Sequence, residues 1–93
     1  MTRKQVINLL LDEREWRRGQ MFMPGMPSER VAKLGDISMV LDFAADWLLR
    51  GRSKETVLER LHRWFEQEDN SEGERIGLVI VKVAVDCWDE SED

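Results

Sequence analysis

A chain of 93 residues with 42% hydrophobic and 35% charged residues can bury one core and is too short for two; intrinsic disorder is excluded by its apolar and Trp content. A lone Cys87 excludes a disulfide-stapled scaffold, and no apolar run approaches the roughly 20 residues that cross a bilayer, so a cytoplasmic chain without a signal peptide is expected. The net charge of −5 is uneven: residues 1–63 carry 12 Lys/Arg against 9 Asp/Glu and residues 64–93 carry 2 against 10, which argues against wholesale nucleic-acid binding and leaves room for a local basic contact.

The first predicted element starts at Arg3, because Thr2 and Gln5 are spaced as a capping box. At helical spacing Val6, Ile7, Leu9, Leu10, Leu11 and Trp16 form one broad apolar face, and Gly19 is the expected C-terminal cap. Residues 20–27 hold both prolines and the Pro24-Gly25 pair, which predicts a turn. This loop is rich in large apolar residues, Met21, Phe22, Met23 and Met26, which have no helical face to return to. Two readings follow: a lid over the open end of the core, or a surface for another protein, since Met adapts to varied partners.

Ser28 is the expected cap of a second helix in which Val31, Leu34, Ile37, Val40, Leu41, Phe43, Ala44, Trp47, Leu48 and Leu49 recur, with Gly35-Asp36 able to split it in two. From Ile37 onward its only polar stripe is Ser38, Asp42, Asp46 and Arg50, so it reads as the central and most buried element. Gly51 ends it, Ser53 caps a third helix, and Val57, Leu58, Leu61, Trp64 and Phe65 fall at helical spacing. The acidic stretch from Glu66 to Glu74 reads as a loop.

The segment 74–88 poses a conflict. Ile76, Val79, Ile80, Val81, Val83 and Val85 favour a strand, which would make the fold α+β. Against that, Ser71 and Glu74 form a second capping box and no other strand exists to pair with it, so a helix is predicted, with Lys82 and Asp86 four apart on its polar side.

Four constellations bear on function. Trp16, Trp47, Trp64 and Trp88 lie one per helix and read as core. Asp42 and Asp46 are the candidate metal ligands for a magnesium-dependent nucleotide phosphohydrolase of all-α type, although the i, i+4 spacing differs from the Glu-x-x-Glu and Glu-x-x-Asp sets of such enzymes. His62 and Cys87 are each the sole member of their type, enough for a Cys-His pair on paper and too few for a zinc site or a triad. Residues 43–65, with the turn Gly51-Arg52-Ser53-Lys54, resemble a helix-turn-helix, which implies a DNA-binding regulator with Arg50, Arg52 and Lys54 as contacts; Trp47 and Arg52 depart from the residue types usual in that motif. The acidic C-terminal third admits a further reading, a nucleic-acid mimic that blocks a DNA-binding protein.

The expectation is therefore an all-α, compact four-helix arrangement with helix two central, a single domain over residues 1–93 and a frayed acidic tail at 89–93. Functionally it is a non-enzymatic binding or regulatory protein working through protein–protein contacts. No cofactor is expected, and nucleic acid is not the expected main partner. Helix two reads as too apolar for one chain to cover, which predicts a homodimer with Met21, Phe22, Met23 and Met26 in or beside the interface.

Overall fold

The computed structural model describes residues 1–93 as four α-helices: α1 Arg3–Met21, α2 Ser28–Leu49, α3 Lys54–Phe65 and α4 Glu72–Asp86, followed by a 3-10 turn at Glu90–Glu92. The start signals of three helices act as their chemistry requires. The Thr2 hydroxyl accepts from the Gln5 amide while the Gln5 side chain accepts from the Thr2 amide; Ser71 and Glu74 repeat the arrangement, and Ser53 accepts from the Thr56 amide. The ends fit less well. Ser28 is the first helical residue of α2 rather than its cap: Pro27, extended at φ −61 and ψ 143, takes the cap position without a side-chain bond. Gly19 stays helical and α1 runs on to Met21; the positive-φ glycines are Gly25 (φ 81) and Gly51 (φ 80), in the two turns that need them. Gly35-Asp36 does not interrupt α2.

The segment with the β-branched run is helical, and there is no strand. Its helix begins at Glu72, two residues before the predicted start, with Gly73 inside it. Close packing on α2 explains the choice: a side chain at Gly73 would sit 2.5 Å from the Lys33 carbonyl oxygen, and one at Gly77 would sit 2.8 Å from Val40 Cβ. These two glycines let the α4 backbone lie directly against α2, and docking there outweighs strand propensity.

Helix α2 is the hub, packed against α1, α4 and α3. Its Ile37, Val40, Leu41, Ala44, Ala45 and Leu48 meet Val6 and Leu10 of α1, Val57 and Leu61 of α3, and Leu78, Val81, Ala84 and Val85 of α4 in one core. Of the four Trp, Trp88 alone is fully buried, at 1% exposure; Trp47 and Trp64 are half-buried and Trp16 is 61% exposed. The correction for Trp16 is geometric. A face drawn broad enough to hold every apolar residue of α1 exceeds what two neighbouring helices cover, and only Val6 and Leu10 reach full burial. On α4 likewise, Lys82 pairs with Asp86 at 2.6 Å as expected, while Val79 and Val83 remain exposed.

The acidic tail, though exposed, makes contacts with the body of the chain. The Trp88 indole N–H donates to the Asp93 carboxylate at 3.2 Å, and the Asp89 amide donates to the Met1 carbonyl at 2.8 Å. Asp89 caps the 3-10 turn through Ser91, whose hydroxyl and amide hold the Asp89 carboxyl below the usual carboxylate range. Arg3 ties this end together. Its guanidinium donates to the carbonyls of Leu48 (3.0 Å) and Arg52 (2.8 Å) and lies 4.6 Å from the Trp88 ring centroid.

A candidate protein-binding surface

The α1–α2 loop turns on Gly25 and leaves most of its apolar residues in solvent. Phe22 is 83% exposed and Met23 about half exposed, while Met21, now on the last turn of α1, and Met26 are half-buried. The loop therefore does not seal the core as a lid. Phe22 lines a shallow groove with Met21, Gly35, Met39 and Phe43, whose polar edge is Arg18 and Asp42.

The apolar surface continues past the groove. Phe43 is 50% exposed and meets Trp64 of α3 edge to face, with centroids 5.6 Å apart and planes at 83°. Trp64 in turn lies 6.2 Å from Trp47, and the Arg60 guanidinium lies 5.5 Å from the Trp47 centroid. The indole N–H of Trp64 donates to Glu74 at 3.1 Å, fixing the ring from the α4 side. Phe22, Met39, Phe43, Trp64 and Trp47 thus form one strip across a loop and two helices. Sequence reasoning found the loop part. The core expectation holds for Trp47 and Trp64, which pack half-buried against it, but not for Phe43, and Met39 carries no sign in the sequence, because a helix apolar nearly all round does not show which side its neighbours leave open.

The polar stripe of α2 is consumed by ion pairs. Asp42 takes Arg14 and Arg18 at 2.5 Å each, and Asp42 is the main reason the Arg14 guanidinium is held above its ordinary pKa. Asp46 pairs with Arg50 at 2.8 Å, and Ser38, buried, donates to the Leu34 carbonyl. Asp42 and Asp46 therefore each have cationic partners, and no group of three or more potential metal-binding side chains comes together. The residues of the helix-turn-helix resemblance also part ways. Arg50 is bound to Asp46, Lys54 donates to the Trp88 carbonyl at 2.6 Å, and Arg52 is exposed while its carbonyl accepts from Arg3. His62 pairs with Glu66 at 3.0 Å, and Cys87 is an exposed free thiol just past α4. In the acidic stretch, Glu72 pairs with Lys33, and Glu74 serves both its own cap and Trp64.

No helix is long and apolar enough to cross a membrane. No known protein family, characterised protein or solved structure matches the chain.

Proposed function

We propose that the protein is a small non-enzymatic binding protein that acts by protein–protein contact through the strip Phe22–Met39–Phe43–Trp64–Trp47. One observation carries the reading: exposed Phe22, Met39 and Phe43 adjoin the half-buried rings of Trp64 and Trp47, so that apolar side chains from three elements are contiguous, whereas isolated exposed apolar residues are ordinary on a monomer. Half-exposed aromatic rings flanked by Arg match the composition of binding hot spots. The candidate catalytic groups, by contrast, are held by neighbouring side chains or are exposed singly.

The test is affinity capture from source-cell lysate, supplemented with a differently tagged copy of the chain, using wild type and Phe43→Asp as baits at low and high salt. Wild type is expected to retain a protein at both salt concentrations, and Phe43→Asp to lose it, because a carboxylate stranded in an apolar contact is costly. Equal capture by the two baits, or capture of nucleic acid alone at low salt, refutes the reading.

A further inference from the structure

Arg3, Trp88 and the start of α1 direct three positive groups at one point, and the Asp93 carboxylate occupies it. The Arg3 amide donates to Asp93 Oδ1 at 2.6 Å, the Trp88 indole N–H donates to both carboxylate oxygens at 3.2 Å, and the Arg3 Nε stands 3.5 Å from Oδ2. Each group has its own reason to hold an anion. Arg3 is the first residue of α1, so its amide is one that a helix leaves without an internal partner, and the first turn contains no acidic residue to offset the helix dipole. Trp88 is 1% exposed, and a buried indole N–H without an acceptor is costly. The Arg3 guanidinium is otherwise bound only to the carbonyls of Leu48 and Arg52, which fix its position and leave its charge to Asp93.

We propose that this end of the bundle is a carboxylate-binding socket plugged by the chain's own tail, so that Asp93 acts as a latch and a carboxylate from outside the chain competes with it. The walls of the socket stand without the tail. Two carbonyls hold the guanidinium over the Trp88 ring, Lys54 donates to the Trp88 carbonyl at 2.6 Å, and the amide belongs to a helix that Thr2 and Gln5 cap. The plug, by contrast, is lightly held. Residues 89–93 are exposed and add nothing to the core beyond Trp88. Besides Asp93, the tail is joined to the body by the Asp89 amide on the Met1 carbonyl and by an exposed ion pair of Glu92 with the N-terminal amine at 3.4 Å. A segment with so few buried apolar contacts opens at low free energy while the helices stay folded. The donors it uncovers suit a carboxylate, because one oxygen serves the amide, the other the guanidinium, and both face the indole. A monatomic anion has no second atom to offer.

Nuclear magnetic resonance of the isotope-labelled full chain tests the proposal at the Trp88 indole N–H, with sodium acetate as the probe. In wild type, where the latch is closed, the indole resonance is expected to stay in place as acetate is added. In Asp93→Ala it should shift, and acetate should return it toward the wild-type position along a saturating curve that the Arg3 amide follows with the same midpoint. Sodium chloride at equal ionic strength should not return it. Glu90→Ala removes a tail carboxylate outside the socket and should behave as wild type. Unmoved amides at Val40 and Val81 separate release of the latch from unfolding; should Asp93→Ala disturb them, Asp93→Asn, which keeps the side chain's shape and removes its charge, takes its place under the same criteria. An indole resonance unmoved by the Asp93 variant, a shift that acetate does not reverse or chloride reverses equally, or the same shift in Glu90→Ala overturns the proposal. So does a wild type that responds to acetate as strongly as the variant.

Discussion

Three of the four helical glycines, Gly19, Gly73 and Gly77, differ in what surrounds them, and alanine separates them. At Gly73 an added Cβ would meet the Lys33 carbonyl oxygen at 2.5 Å and Asp36 Cβ at 2.8 Å, and neither backbone nor a Cβ can swing aside. At Gly77 it would meet Val40 Cβ at 2.8 Å. Nothing lies within 4 Å of a Cβ at Gly19. Alanine favours a helix over glycine by about 1 kcal/mol, while overpacking a tight contact costs about 1–3 kcal/mol. Gly19→Ala should therefore raise the urea midpoint, and Gly73→Ala and Gly77→Ala should lower it, with Gly73 the worse of the two. A stabilised Gly73→Ala would show that α4 does not lie as close to α2 as these distances state. Gly19 also shows why a glycine near the end of an apolar pattern is ambiguous in sequence: it can be read as a cap, yet only a positive φ demands one, and here that demand falls on Gly25.

Helix α4 is the element in which local and tertiary preferences disagree. Its Ile and Val residues weaken an isolated helix, whereas the Ser71–Glu74 box and the glycine contacts favour one in place. A peptide of residues 70–88 is therefore expected to be largely unstructured by circular dichroism, although the same residues are helical in the full chain; a peptide helical on its own would mean that propensity, not docking, decides. The helix starts were legible at Thr2, Ser53 and Ser71 because a hydroxyl at a cap acts within three residues and needs no tertiary information. At Ser28 the same logic failed, since Pro27 already supplies the extended cap geometry. The breadth of the buried faces was not legible. Trp16, Val79 and Val83 fall at helical spacing with the core, and only the positions of neighbouring helices decide that they stay in water.

Across the whole molecule, the core closes without the Met-rich loop. Phe22 and Met23 are exposed, while Val6 and Leu10 of α1, Val40 and Leu41 of α2, and Val81 of α4 are fully buried. Phe22→Asp should then change unfolding free energy by less than about 0.5 kcal/mol when measured in the Phe43→Asp background, as expected of a surface site. A drop of several kcal/mol would restore the lid reading of the loop. The loop half of the strip was visible in the sequence because large apolar residues beside Pro24 and Gly25 have no regular face; the helical half became visible only once α3 was seen to leave Phe43 uncovered. The close seat of α4 on α2 also orders events during synthesis. Until Gly73 and Gly77 emerge, α1 and α2 can form their local hairpin, but Ile37, Val40 and Ala44 have no α4 to cover them. An α1–α2 hairpin without α4 would leave the central helix sticky along its core face as well as along its outer strip, so a chain truncated before Glu72 is expected to aggregate where the full chain does not.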